Sequence, residues 1–204
     1  MTKLPRDTEL PTISLPSSHF EDLYRDSRDP WRVRSSWFDQ RKFAITIAAL
    51  PRKRYRSVLE PACGVGELTR LLAARCDHLL AFDIVDEAVQ EARASVSGWT
   101  NVRVERRSLF GELPEGSYDL IVVSEVLYYF SAADLASTVD ELVARLEDDG
   151  ELVSVHHHYR GFKAHAAFAG QPELKEAASF DDGDFALRVF RKHDPAHAAN
   201  RKQS

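Results

Sequence analysis

The chain has 204 residues, of which 44% are hydrophobic and 29% charged, and a formal net charge of −5. Such a composition excludes wholesale disorder, and a chain this long buries roughly 70% of its extended surface without disulfide or metal staples. The acidic balance argues against nucleic acid as the main partner, yet the charge is uneven. Residues 1–60 carry 12 basic and 8 acidic side chains, the remainder 15 and 24.

Residues 1–19 hold Pro5, Pro11 and Pro16 with no periodic apolar pattern, and read as a flexible arm. They lack the apolar run of a secretory signal. The longest apolar stretches, such as Leu120-Ile121-Val122-Val123, fall far short of the roughly 20 residues of a membrane helix. Cys63 and Cys76 have no zinc-ligand spacing. These features lead us to expect a soluble, cytoplasmic protein with no membrane partner and no metal. Residues 20–37 then turn aromatic and charged, with Phe20, Tyr24, Trp31 and Trp37 too large to be left exposed without reason. The Asp29-Pro30 pair breaks any helix there.

Apolar spacing at Phe38, Phe43, Ala44, Ile47 and Leu50 predicts a helix over 36–50, capped by Ser35 or Ser36. Arg52-Lys53-Arg54 follows it. The run could touch nucleic acid, but cations at a solvated helix C-terminus are the simpler reading. Beyond it, strands and helices alternate. Strands are predicted at 57–62, 78–84, 102–106, 118–126, 150–157 and 185–190, and helices at 66–76, 87–94 and 132–146. This pitch means βαβ units and a mostly parallel, doubly wound α/β sheet. Tyr118–Val126 is apolar on both faces and belongs at the centre.

The most informative segment is Val58-Leu59-Glu60-Pro61-Ala62-Cys63-Gly64-Val65-Gly66-Glu67-Leu68, in which a strand ends, two glycines follow and a helix begins. A turn of this kind at the end of the first strand is where doubly wound sheets bind nucleotide-like ligands. Asp83 ends the second strand and can accept both hydroxyl protons of a ribose. A dinucleotide site would want a small residue at position 69, where Thr69 stands, and Glu67 would repel a pyrophosphate at the helix start. An acid at Glu60 suits a ligand with a ribose and an ammonium but no phosphate. S-adenosylmethionine fits that description.

On these residues the chain resembles the class I S-adenosylmethionine-dependent methyltransferases. Asp29-Pro30-Trp31, residues 50–77 and Ser124-Glu125-Val126-Leu127-Tyr128-Tyr129 are similar to the NodS-like branch, named for a nodulation N-methyltransferase acting on the free amine of a chitooligosaccharide. The resemblance covers roughly residues 20–158. It implies a seven-stranded sheet with an antiparallel last strand and an N-terminal helical lid. The implied layout has residues 20–50 as lid and covering helix, 51–158 as cofactor core and 159–204 as substrate and edge-strand region. The cofactor contacts it implies are Trp31, Glu60, Ala62, Gly64, Gly66, Asp83, Ile84, Ser108, Leu109 and Ser124. Ala62 replaces the first glycine of the family's turn, which fits if its φ is negative. Arg107-Ser108-Leu109 stands where the family often has an acid for the adenine, so Ser108 or backbone atoms would serve there.

The sulfonium carries an already activated methyl, so such an enzyme aligns nucleophile, carbon and sulfur and excludes water. An amine acceptor must also be neutral, by desolvation or a general base. Candidates at the ends of the fourth and fifth strands are Ser124, Glu125, Tyr128, Tyr129, His156 and His157, with Glu125, Tyr129 and His156 favoured as catalytic. Tyr129 could wall the methyl, and Glu125 could accept an acceptor's proton or form a salt bridge. On a strand, His156 and His158 would face one way and His157 the other, too few for a metal. The expected function is methyl transfer to a small polar molecule, an amine such as an amino sugar among the candidates. The alternatives are a non-catalytic S-adenosylmethionine-binding module and an NAD-dependent oxidoreductase.

Overall fold

A computed structural model describes residues 9–193. Seven strands form one sheet in the order β3-β2-β1-β4-β5-β7-β6. They are β1 (Tyr55–Pro61), β2 (Cys76–Asp83), β3 (Val102–Arg106), β4 (Tyr118–Ser124), β5 (Leu146–His157), β6 (Leu174–Asp181) and β7 (Phe185–Lys192). Strands β1 to β5 pair in parallel, and β7 lies antiparallel between β5 and β6. Among the described residues six α-helices and a short 3-10 turn (Leu127–Tyr129) accompany them: α1 (Ser17–Asp26), α2 (Trp37–Ala49), α3 (Glu67–Ala73), α4 (Asp86–Ser95), α5 (Ala132–Arg145) and α6 (His158–Ala169). The chain is thus the mostly parallel α/β sheet that the alternation predicts. Among the described residues no helix is long and apolar enough to cross a membrane.

The sheet's two faces explain its sequence. Leu120 and Val122 of β4 pack with Phe43 and Leu50 of the α2 segment and Leu68 and Leu72 of α3. Ile121 and Val123 face the other way, against Leu135, Val139 and Leu142 of α5 and Phe168 of α6. A strand covered on both sides reads as a continuous apolar run, hence the strong signal at 118–124. Strand β6 escaped sequence reading for the opposite reason. It is an edge strand, exposed over most of its length, and LKEAASFD has no apolar alternation. Helix α6 was hidden because it begins directly after β5, with no intervening loop signal.

Part of the stretch expected as an arm is described. Residues 1–8 lie outside the described residues, but residues 14–15 are tied down. The Leu15 N–H donates to the Tyr129 carbonyl (3.0 Å), and the Ser14 hydroxyl accepts from the Ser131 N–H (2.8 Å) while donating to Asp134. Ser14 thereby supplements the Ser131 cap of α5, and helix α1 starts at Ser17. Helix α2 is capped by Ser36, which accepts from the Asp39 N–H at 3.2 Å. Two residues of the basic run have partners in the fold: Arg54 pairs with Asp77, and Arg52 donates to the Asp149 carbonyl.

Strands β1 and β4 meet at the switch in strand order, where a side chain supplements the ladder. Buried Asp119 accepts from the Ser57 N–H (2.8 Å) and the Arg56 N–H (2.9 Å). Asp119→Ala leaves both donors without a partner and is expected to lower stability by about 2–3 kcal/mol. A urea unfolding curve checks this; an unchanged midpoint would refute it.

Candidate active site

A cavity of about 940 Å³ opens at the carboxyl ends of the central strands, the edge where a change in strand order leaves a crevice. One end is built by the glycine turn. Gly64 has φ +55° and donates its N–H to Asp83 Oδ2 at 2.9 Å, while Asp83 Oδ1 accepts from the Val85 N–H at 3.1 Å. Asp83 therefore braces the turn from β2. A carboxylate has about four lone-pair sites, so accepting capacity remains for a ligand's hydroxyl. Burial pushes its pKa up, against the pull of these N–H donors. Glu60 lines the same cavity, almost fully buried, and its Oε2 has no hydrogen-bond partner. A buried polar atom without a partner is uncommon, and here it belongs to a residue of the cavity wall.

Trp31, Glu60, Ala62, Gly64, Asp83, Ile84, Ser108, Leu109 and Ser124 all line the cavity. Two sequence expectations, on Ala62 and Gly66, need correction. Ala62 has φ +55°, not a negative φ, so a side chain is held in the left-handed region at a cost of about 1–2 kcal/mol. Gly66 is not on the cavity wall. It has φ +81°, and a Cβ there would lie 2.8 Å from the Ala92 Cα, so this glycine serves the approach of α4. The Ser108 hydroxyl is engaged locally, donating to the Phe110 carbonyl (2.9 Å) and accepting from the Phe110 N–H (3.1 Å). Leu109 and Phe110 offer apolar surface beside it.

Helix α1 and the segment after it line this end of the cavity with Phe20, Tyr24 and Trp31. Buried Tyr24 of α1 packs with Val65, Val85 and Ala88, and Trp31 meets its ring edge-on at 5.7 Å. Phe20 meets Tyr129 edge-on at 5.0 Å.

At the other end lies a charged cluster that sequence reading only half saw. Glu125 directly follows β4 with φ +54°. Its Oε1 accepts from Lys42 Nζ (2.7 Å), and its Oε2 accepts from the Tyr128 hydroxyl (2.9 Å) and the His157 N–H (3.1 Å). Lys42 is buried on α2 and also donates to Asp39 Oδ1 at 2.9 Å. Burial raises the Glu125 pKa, but the Lys42 charge and these hydrogen bonds outweigh it and hold the carboxylate below its usual range. Burial likewise works against the Lys42 ammonium and is outweighed by Glu125 and Asp39. Both are ionised at neutral pH, and the three-residue cluster carries one net negative charge. Nothing in the sequence singled out Lys42, since one lysine in an amphipathic helix reads as surface.

The histidine run is split by a change of element. His156, at the end of β5, is fully buried and not on the cavity wall. Its Nδ1 accepts from the Glu125 N–H at 3.0 Å, and burial pulls its pKa down to about 3. It therefore fixes the Glu125 backbone and stays neutral, away from the cavity wall where a catalytic His156 was expected. His157 lines the cavity, against Phe38. His158 opens α6 and pairs with Asp181 at 2.8 Å. No group of three metal-ligating side chains occurs among the described residues. Tyr129 lines the cavity, with Tyr128 against it at a ring separation of 4.6 Å.

The sequence profile of the family described as Nodulation protein S (NodS) matches residues 19–160. The chain belongs to the NodS family. Nodulation protein S of Bradyrhizobium diazoefficiens is 30% identical over 127 residues, covering 61% of each chain. The chain spans 53–65% of the length of the three nodulation protein S relatives it matches. Among solved structures, a Pseudomonas syringae protein solved as a candidate methyltransferase is 38% identical, with a TM-score of 0.69 over 77% of this chain and 100% of that one. The N-methyltransferase NodS of Bradyrhizobium japonicum WM9, in complex with S-adenosyl-L-homocysteine, has a TM-score of 0.76 at 23% identity, covering 86% of this chain and 98% of that one. The last likeness is one of fold.

Two expected outcomes follow from the site. Lys42→Met leaves two acids in the cluster without their cation and should cost about 3–5 kcal/mol. Lys42→Met/Glu125→Gln should recover part of that loss, measured as unfolding free energy at pH 7. Because the Glu125 pKa is depressed on folding, the contribution of the pair is present at neutral pH and lost as pH falls through that depressed value. Ala62→Gly should stabilise the protein by about 1 kcal/mol or less, the relieved φ strain outweighing the added backbone entropy. A lowered melting temperature for the glycine variant would contradict this.

Proposed function

We propose that the chain is an S-adenosylmethionine-dependent methyltransferase acting on a small polar acceptor, with an amine as the favoured class. The observation that carries this reading is that one cavity is lined both by Glu60 and Asp83 at a glycine turn and by the Asp39–Lys42–Glu125 cluster. The first pair complements an ammonium and a ribose diol, and the second presents a net negative charge to whatever enters beside them. Membership of the NodS family supports the same reading, as does the S-adenosyl-L-homocysteine bound to the NodS structural neighbour.

The bound cofactor would supply a methyl on a sulfonium, already activated for transfer. The work left to the protein is alignment and exclusion of water. Asp83 would hold the ribose and Glu60 the ammonium, while Trp31, Leu109 and Phe110 offer apolar faces to the base. Tyr128 and Tyr129 would border the reacting end, with ring faces that attract cations. Glu125 would orient the acceptor through a hydrogen bond, its ionised state secured by Lys42. Because Lys42 and two other donors already hold it, Glu125 would act as a weak proton acceptor, and desolvation would do much of the work of keeping an amine neutral.

Isothermal titration calorimetry with S-adenosyl-L-homocysteine tests the reading. Micromolar binding is expected, weakened at least tenfold by Asp83→Ala, which deletes a charge-assisted hydrogen bond worth more than about 1.4 kcal/mol. Transfer of a labelled methyl to members of an amine, hydroxyl and thiol library then identifies the acceptor class. No heat on titration would refute cofactor binding, and binding without turnover across the library would favour a non-catalytic module.

A further inference from the structure

Glu125 and His156 meet where the neighbouring parallel strands β4 and β5 end, the register pairing Ser124 with Val155. The Glu125 N–H is shared between two acceptors, the Val155 carbonyl at 3.1 Å and His156 Nδ1 at 3.0 Å. The carbonyl alone would satisfy that donor. A neutral ring that accepts at Nδ1 carries its proton on Nε2. Nε2 is buried and has no hydrogen-bond partner among the described residues, so the ring makes one bond and forgoes the other. An unpartnered buried donor is unfavourable, and an apolar side chain of similar bulk would avoid that loss. Stability alone therefore does not account for a histidine here.

The surroundings hold the ring in place. On α6, a Cβ at Gly161 would lie 2.5 Å from the His156 Cβ, so only glycine fits there. The His165 ring of the same helix is 5.5 Å away, its Nε2 held by the Ser154 carbonyl at 3.1 Å, and Tyr128 meets His156 edge-on at 5.9 Å. Burial keeps the ring neutral; His165 and the Lys42 charge act the same way, against the pull of Glu125.

The carboxylate of Glu125 is sensitive to such fixing. Lys42, the Tyr128 hydroxyl and the His157 N–H already donate to it. With about four lone-pair sites in all, little accepting capacity is left for an acceptor molecule. That capacity lies chiefly on Oε1, which takes one of the three donors. The direction of the carboxylate then decides whether an amine is held in line with a methyl donor. A misplacement of about 1 Å in such an arrangement can cost about a hundredfold in rate.

We propose that His156 is a positioning residue for methyl transfer: by accepting from the Glu125 N–H it fixes the left-handed turn that directs the Glu125 carboxylate towards the acceptor. The inference rests on the methyltransferase reading above and assigns a part in it to a side chain that does not touch the cavity. Its action is confined to the acceptor end, because Gly64 and Asp83 are held by β1 and β2.

Two variants separate positioning from mere support. His156→Leu keeps the bulk and removes the acceptor atom, whereas His156→Asn offers an amide oxygen to the Glu125 N–H. With saturating S-adenosylmethionine and the best amine of the library, His156→Leu is expected to lower kcat/KM at least about tenfold, mostly in kcat. S-adenosyl-L-homocysteine should bind it as it binds the intact protein, with little change in the urea midpoint. His156→Asn should restore most of the lost rate. Full activity in His156→Leu would overturn the proposal, as would an asparagine variant no better than the leucine one. A rate loss matched by lost cofactor affinity or a lowered midpoint would assign His156 a structural part only and overturn it too. Nitrogen NMR of the intact protein, labelled in its histidine rings, tests the geometry even if neither variant folds. The neutral Nε2–H form is expected for His156; the Nδ1–H form cannot accept from Glu125 and would overturn the proposal while leaving the methyltransferase reading standing. If the intact protein methylates no acceptor, that reading and this proposal fall together.

Discussion

The contact between Lys42 and Glu125 joins the two halves of the molecule. Lys42 belongs to helix α2, in the basic first 60 residues, and Glu125 stands at the end of the central strand β4. Neither charge could stay buried alone, because removing an ion from water costs several kcal/mol unless a partner and further hydrogen bonds compensate. Here they do: Asp39, Tyr128, the His157 N–H and the His156 ring complete the cluster or fix its backbone. This contact bridges the stretches on either side of the change in charge near residue 60. One basic residue of the first segment is buried as the counter-ion of an acid in the second.

Glu60 and Glu125 show how burial alone fails to fix a carboxyl group's state. Both lie on the wall of the same cavity. Glu125 has a cation at 2.7 Å and stays ionised, whereas Glu60 has no cation and is driven towards the neutral form. Environments that push two acids apart in this way are a mark of functional sites, though structural ion networks can do the same. What distinguishes this pair is that one acid is already satisfied and the other is left with an unpartnered oxygen. A ligand that brings a cation to one end only is the natural complement.

The sheet and half of the site were legible in the sequence. Strands buried on both faces declare themselves as apolar runs, and the Gly64 turn with Asp83 at the next strand end marks a ligand edge. What escaped had physical reasons. Edge strand β6 lacks the burial that makes a pattern. Lys42 acts through a partner 83 positions away, which no local spacing reveals. The His156-His157-His158 run looked like a strand motif, but the chain switches from β5 to α6 between His157 and His158, so strand alternation no longer applies. Gly66 carried the right residue type for a phosphate-free turn but serves helix packing against Ala92.

The positive φ angles of Ala62 and Glu125 belong to the same logic. Both are non-glycine residues just past the ends of adjacent parallel strands, β1 and β4, and both line the cavity. A left-handed residue at a strand end turns the chain sharply, which opens a crevice between neighbouring strands. At Glu125 the turn also carries the side chain towards Lys42 on the covering helix. Such backbone strain persists only where surrounding contacts over-determine it. The Glu125 N–H is held by the Val155 carbonyl and His156 Nδ1, and the side chain has three donors of its own. The strained turn and the buried ion pair therefore sustain each other: the bonds offset the cost of the turn, and the turn brings the carboxylate to the lysine.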